Sequence, residues 1–221
     1  MPTLHSKLIL LQLQLLLHLT TFRLLPASSS SLIGEYGDHG ALLAFKAALS
    51  DVSGSLSSWN GSSSDLCRWA GVTCSRRHPG RVVSLRMPGS NLAGTISPAI
   101  GNLTFLRRLD LFDNMLSGEI PHTISRLHRL RSLHLSNNSL AGEIPVGLSN
   151  CSNLLHLSVP VNKLRGRIPS GLGSLTQLQF LFISDNDLLG REPPSLGNLS
   201  VLEILTLNKT SLDGTIPKTL F

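Results

Sequence analysis

Residues 106–121 read LRRLDLFDNMLSGEIP, and the same pattern returns every 24 residues along the 221-residue chain. The leucine at its fourth position recurs in six copies, at Leu85, Leu109, Leu133, Leu157, Leu181 and Leu205. The glycine recurs with it, at Gly94, Gly118, Gly142, Gly166, Gly190 and Gly214. A repeat of this length predicts a solenoid, in which each unit buries its apolar side against its neighbours. We therefore expect an α/β solenoid of six 24-residue units, the last one incomplete at Phe221.

Each unit contains a short strand followed by a turn. Leu109-Asp110-Leu111 alternates apolar and polar residues, as a strand with one buried face does. Stacked units would pair these strands into a parallel sheet on the inner, concave side. An asparagine follows four of the strands, at Asn114, Asn138, Asn162 and Asn186. We expect these side chains to bond backbone groups of their own turn and of the adjoining unit.

Residues 1–29 have the pattern of a secretory signal peptide. Lys7 precedes an apolar run from Leu8 to Leu19, and small residues follow Pro26. A membrane anchor is the alternative, but the run is short for a span and contains glutamines. The sequence thus predicts a signal peptide over 1–29, an N-terminal cap over 30–80 and repeats over 81–221, in a secreted protein.

The modest charge of the mature chain and its predicted secretion argue against nucleic acid as a partner. The formal charge of +6 includes Lys7 and Arg23, so +6 − 2 = +4 remains after removal of the signal peptide. A secreted, mildly basic repeat protein has no evident route to nucleic acid. Attraction to an acidic cell-wall polymer is physically possible, but the overall charge is too modest to argue for it strongly.

The residues before the first repeat predict a cover for the end of the solenoid. Residues 38–49 have the pattern of a helix that buries Leu42, Phe45 and Leu49, with Asp38 as its N-cap. Trp59 and Trp69 supply further apolar cover. Cys67 and Cys74 lie seven residues apart, and secretion favours a disulfide between them over a zinc site. Cys151 occupies a leucine position of its unit, which predicts a free, buried thiol.

At this point the sequence resembles a known family. The pattern LxxLxxLxLxxNxLxGxIP is the plant-type leucine-rich repeat, matched best by residues 106–121 and 130–145. The stretches 41–46 (ALLAFK), 58–60 (SWN) and 67–74 (CRWAGVTC) look like the paired-cysteine cap of plant leucine-rich-repeat receptor kinases. The sequence of these stretches is most similar to that of the immune-receptor subfamily of the flagellin and elongation-factor receptors. The resemblance covers residues 38–221, the N-terminal part of such an ectodomain, and it carries over no kinase activity.

The sequence contains no recognisable catalytic motif. We find no glycine-rich phosphate loop, no Gly-x-Ser-x-Gly elbow and no His-Glu-x-x-His pair. His134 and His156 fall on strand positions of adjacent units, but two histidines without a third ligand do not make a metal site. We therefore predict that the protein is not an enzyme and uses no cofactor.

Glycosylation signals are frequent in the chain. The pattern Asn-x-Ser/Thr occurs at Asn60, Asn102, Asn137, Asn150, Asn198 and Asn208. Asn102, Asn150 and Asn198 hold one place in their units, on the outer side. Asn137 and Asn208 are doubtful sites, because they lie on or beside the strand face.

Binding on the concave face is the function that remains. Phe180 and Phe182 flank the buried Leu181, so both should face the concave side, where exposed aromatics favour recognition. Missing repeats, a glycan or imperfect strand geometry could instead cover them. The candidate partner-binding residues are Arg86, Arg108, Phe112, His134, His156, Phe180 and Phe182.

The resemblance implies a recognition module for a peptide or protein ligand, a co-receptor ectodomain included. It would be secreted to the apoplast, or held at the plasma membrane if a longer form carries a transmembrane helix. Two alternatives stay open. One is an inhibitor of microbial cell-wall-degrading enzymes, and the other is a truncated product without activity.

Overall fold

The computed structural model describes residues 37–61 and 65–212. The segment assigned as a signal peptide, over 1–29, lies outside the described residues, as do Gly214 and Phe221 of the sixth unit. The repeats form the predicted solenoid, with one strand of each unit in an inner sheet and a second strand in an outer sheet.

The N-terminal cap consists of four short elements. They are the helix α1 (Gly37–Ala47), the strand β1 (Leu49–Asp51), a 3-10 helix (Leu66–Arg68) and the strand β2 (Val72–Cys74). The rings of Trp59 and Trp69 stack 5.4 Å apart, and both side chains are buried. The predicted disulfide joins Cys67 to Cys74, with 5.5 Å between their Cα atoms. The cap is therefore fixed by an aromatic core and by a covalent bond.

Two details of the predicted cap helix are wrong. Asp38 lies inside α1 rather than before it, and its buried carboxylate accepts hydrogen bonds from Arg81 Nε at 3.0 Å and from the backbone N–H of Val82. Leu49 lies in β1, beyond the helix, and is partly buried. The local pattern suggested a capping role for Asp38, but its partners lie more than forty residues away and join the cap to the first repeat.

The inner sheet contains one strand from each unit. After β2, which is antiparallel to its neighbour, the strands are parallel and follow the order of the chain. They are β3 (Val82–Arg86), β5 (Arg108–Asp110), β7 (Ser132–His134), β9 (His156–Ser158), β11 (Phe180–Phe182) and β13 (Ile204–Thr206). The repeated leucines are in register, with Leu109 beside Leu85 and Leu133. The parallel sheet predicted from the 24-residue period is confirmed.

A second sheet lies on the outer side, where the sequence predicted only a turn. β1 is antiparallel to β4, and the later strands are parallel. The strands are β4 (Leu92–Thr95), β6 (Met115–Glu119), β8 (Ser139–Gly142), β10 (Lys163–Gly166), β12 (Asp187–Gly190) and β14 (Ser211–Leu212). The chain then returns to the inner sheet through 3-10 helices at Pro98–Asn102, His122–Arg126, Val146–Asn150, Ser170–Ser174 and Pro194–Asn198.

The apolar residues of both sheets and of the 3-10 helices form one continuous core. Leu85, Leu109 and Leu133 are fully buried in it. Cys151 is free and buried among the same residues, and burial raises the pKa of its thiol to about 11. The predicted role of this cysteine as a small buried hydrophobe is confirmed.

The four asparagines form what we call the asparagine ladder (Asn114, Asn138, Asn162 and Asn186). Asn138 Nδ2 donates to the backbone oxygens of Leu135 and Ser136 in its own unit, at 3.1 Å each, and of Leu111 in the preceding unit, at 3.0 Å. Its Oδ1 accepts from the N–H of Leu116, again in the preceding unit, at 3.0 Å. The other three repeat this arrangement. The predicted role of these side chains is confirmed.

The repeated glycine has a positive φ in each of the five described units. At Gly94 a second constraint adds to this, because a Cβ would lie 2.4 Å from the backbone oxygen of Ala48. This close approach lets β1 of the cap pair with β4, so the glycine requirement extends from the turn to the join between the cap and the repeats.

Glu192 is the exception in a column of otherwise apolar residues. Ile96, Ile120, Ile144 and Ile168 hold the equivalent positions and are all buried, whereas Glu192 is only half-buried. Among the described residues, no ion pair includes it. The carboxylate thus stays partly in water, because burying it without a partner would be costly.

Replacing Glu192 with isoleucine is expected to raise the free energy of unfolding by about 1–3 kcal/mol, the scale of burying one aliphatic side chain. Thermal or urea unfolding of the two proteins measures this difference. Glu143→Ile, at an exposed position of the same outer face, is the matched control and should change stability little. A neutral or destabilising effect of Glu192→Ile would show that the carboxylate has a stabilising role.

Candidate binding surface

The concave face of the inner sheet carries two columns of side chains that alternate with the buried leucines. The strand register places one member of each unit in each column. The first column is Ser84, Arg108, Ser132, His156, Phe180 and Ile204. The second is Arg86, Asp110, His134, Ser158, Phe182 and Thr206. The sheet therefore presents most of the candidate residues on one surface.

Three of these residues form a contiguous group, here called the aromatic cluster (His156, Phe180 and Phe182). The rings of His156 and Phe180 lie 4.7 Å apart, and those of Phe180 and Phe182 lie 6.2 Å apart with planes only 19° from parallel. All three side chains are half-buried. Ile204, which the sequence analysis did not single out, lies beside Phe180 and is 46% exposed. Together they make an apolar surface on an otherwise polar sheet.

Burial and neighbouring charge favour the neutral form of the His156 ring. Burial lowers the pKa of His156, and the neighbouring charges of His134 and Arg108 lower it further, whereas Glu203 opposes them. A neutral imidazole can pack on Phe180 without the cost of burying a charge. This shift therefore suits the ring contact that His156 makes in the aromatic cluster.

The remaining candidates lie toward the cap and do not join the cluster. Arg86 pairs with the buried Asp110, with 3.2 Å between Nε and Oδ2. Arg108 is exposed, and Phe112 is 45% exposed at the end of its strand. β3 and β11 are four strand positions apart, which is about 19 Å at a strand spacing of about 4.8 Å. The structure therefore divides the predicted set into an arginine group and an aromatic cluster, with His134 between them.

The structure places the candidate glycosylation sites in different surroundings. Asn102, Asn150 and Asn198 each end a 3-10 helix, and the latter two are exposed. Asn137 donates a hydrogen bond to Asp113. Asn60 lies in the cap and Asn208 is exposed beyond β13. Modification of all six remains a prediction.

The described residues, 37–61 and 65–212, contain neither a metal-binding cluster nor a membrane-spanning helix. No group of three or more His, Cys, Asp or Glu side chains is placed to hold a metal ion there. No helix in that part of the chain is both long and apolar enough to cross a membrane.

Known families match both the cap and the repeats of this chain. Residues 36–75 match the leucine rich repeat N-terminal domain, and residues 105–127, 129–151 and 177–199 match the leucine rich repeat. Receptor kinase-like protein Xa21 of Oryza sativa subsp. japonica is 55% identical over 86 residues, which are 37% of this chain and 8% of that protein. The chain thus spans a small fraction of the length of this relative.

Solved structures match a larger part of the chain. The complex of BIR3 and SERK2 from Arabidopsis thaliana aligns with a TM-score of 0.72 and 37% identity, over 80% of this chain and 95% of that one. The Arabidopsis receptor kinase HAESA, in complex with the peptide hormone IDA and the co-receptor SERK1, aligns with a TM-score of 0.73 and 35% identity. That match covers 83% of this chain and 31% of the HAESA chain.

Proposed function

Since this chain belongs to the family of plant leucine-rich-repeat receptor ectodomains, we propose that it is an extracellular recognition module whose concave sheet binds a peptide or protein ligand. HAESA was solved with a peptide hormone and a co-receptor, and BIR3 was solved with SERK2. These complexes support a peptide or a second ectodomain as the class of partner. They give no further support to the alternative of an inhibitor of wall-degrading enzymes.

The aromatic cluster is the observation that carries the proposal. Residues at strand positions that face solvent are usually polar, yet Phe180, Phe182 and Ile204 lie together there. Aromatic side chains fixed on a rigid sheet can contribute binding energy at a low cost in conformational entropy. A ligand lying along the concave face would cover them, and Arg108, three strands from Phe180, would contact an acidic or carbonyl group of the same ligand.

Binding is tested by selecting ligands from a random-peptide display library on the full chain and measuring the Kd of a selected synthetic peptide. The double variant Phe180→Ala/Phe182→Ala should bind it ~30-fold more weakly, the scale of a hot-spot aromatic. Leu189→Ala is the control, because Leu189 is a large apolar residue that is 53% exposed on the outer sheet of the same unit.

Thermal unfolding of each variant distinguishes lost binding from lost folding. Unchanged affinity in the phenylalanine variant, or an equal loss in the Leu189 variant, would contradict a binding role for the concave face.

A further inference from the structure

The arginines of the first three units are concentrated on one edge of the solenoid. Residues 76–131 contain nine arginines and no lysine, against three acidic residues, although the charge of the whole chain is modest. Four of the arginines lie at or just before the starts of inner strands, and we call them the arginine flank (Arg81, Arg107, Arg129 and Arg131). A local charge of this kind is not visible in the net charge of the chain.

Phe105 holds two members of the arginine flank in place. The guanidinium carbon of Arg81 lies 4.1 Å from the centre of the Phe105 ring, and that of Arg129 lies 4.0 Å from it. Residues 81, 105 and 129 are spaced by the 24-residue period, so the three side chains are neighbours in consecutive units. Cation–π contacts on the two sides of one ring keep two like charges close together and fixed.

The other two members lie beside this stack. The backbone N–H of Arg131 donates to the backbone oxygen of Arg107 at 2.8 Å, which places them in neighbouring units. Arg107, Arg129 and Arg131 are exposed, and no ion pair within residues 37–61 and 65–212 includes any of them. Arg81 is paired with Asp38, so the other three members of the flank present the positive charge that the described part of the chain does not neutralise.

The opposite edge of the inner sheet carries acidic residues. Asp110 ends β5 and is paired with Arg86, Asp113 follows β5, and Asp185 follows β11 and is paired with Lys209. The unpaired arginines of the flank thus lie at the strand starts near the cap, away from the aromatic cluster.

We propose that the arginine flank is a second binding surface, for an acidic polysaccharide whose sugars carry carboxylates. A guanidinium presents a planar fork of donors that matches a carboxylate. Arg107 and Arg131 hold equivalent positions in adjacent units, about 4.8 Å apart, and Arg129 lies in the same unit as Arg131, so neighbouring units offer such forks to carboxylates repeated along a polymer. A second copy of this basic chain would be repelled. The proposal rests on the extracellular setting of the proposed function but not on peptide binding at the concave face.

The test measures binding of the full chain to soluble polygalacturonate, with dextran as the neutral probe. Arg129→Gln/Arg131→Gln should weaken binding ~10-fold and reduce its dependence on salt, because two charge-assisted contacts are lost. Arg165→Gln/Arg167→Gln is the matched control: it removes the same charge from exposed positions on the outer side of the fourth unit and should change the affinity less than ~2-fold. Equal losses in both variants would overturn the proposal, since net charge alone would then explain binding.

A third variant tests the role of the stack. Phe105→Leu keeps every charge but frees the guanidinium of Arg129, whereas that of Arg81 stays held by Asp38 and Thr104. The affinity should therefore fall ~3-fold while thermal unfolding confirms that the protein is folded. An unchanged affinity would overturn the role given to Phe105. Tighter binding of polyglutamate than of polygalacturonate would overturn the polysaccharide and identify an acidic protein segment as the partner. The peptide affinity of the aromatic cluster should stay the same in all these variants, which separates this proposal from the one above.

Discussion

Removing the Cys67–Cys74 disulfide by substitution of both residues with alanine is expected to lower the free energy of unfolding by about 2–5 kcal/mol. The bond joins the 3-10 helix of the cap to β2, which is the first strand of the inner sheet. Restricting the unfolded chain accounts for about 2–3 kcal/mol of this in the chain-entropy model, and the rest reflects lost packing of the two partly buried cysteines against the core. Denaturant unfolding of the oxidised protein and of the variant gives the difference.

Cys151→Ala is the control for this experiment. Cys151 is the free cysteine of the chain, so its variant should still show the full effect of a reducing agent on stability, whereas the double variant should show none. Mass mapping of non-reduced peptides provides an independent check, and a bridge that contains Cys151 would contradict the assignment.

Replacing Asp38 with alanine is expected to cost about 3 kcal/mol, because it leaves a buried N–H and a partly buried guanidinium without their acceptor. The side chain of Asp38 is 1% exposed and that of Arg81 is 35% exposed, so the value lies at the lower end of the range for buried pairs. Asp65→Ala removes the exposed pair with Arg68 and should cost about 0.5 kcal/mol or less.

A double-mutant cycle with Arg81→Ala measures how much of the Asp38 effect comes from the ion pair. We expect a clear coupling energy between the two residues, with the remainder due to the backbone N–H of Val82. Equal costs for Asp38→Ala and Asp65→Ala would refute the view that this carboxylate joins the cap to the repeats.

The sequence predicted those features that follow from the repeat itself. A leucine every 24 residues fixes which side of each strand is buried, and it therefore also predicted that Phe180 and Phe182 face the concave side. The asparagine ladder followed from the same argument, since a buried turn needs a partner for its backbone groups.

The missed features depend on contacts between units rather than on patterns within one. The outer strands pair with each other only after the units stack. The sequence of a single unit therefore predicts a turn at the position of its outer strand. The sequence around Asp38 is typical of a helix N-cap. Its actual donor, the N–H of Val82, lies in β3 and so could not be inferred from that local pattern. The 24-residue spacing could have predicted the contact of Phe105 with Arg81 and Arg129. It required a comparison of equivalent positions that lie before the strand of each unit.

The asparagine ladder gives the repeat array a direction. Each asparagine donates to a backbone oxygen 27 residues earlier and accepts from an N–H 22 residues earlier, so it completes the turn of the unit before its own. We therefore expect a growing chain to complete the hydrogen bonds of each turn only once the asparagine of the following unit is in place. The covalently closed cap would then be the first part of the array whose bonds do not wait for a later repeat.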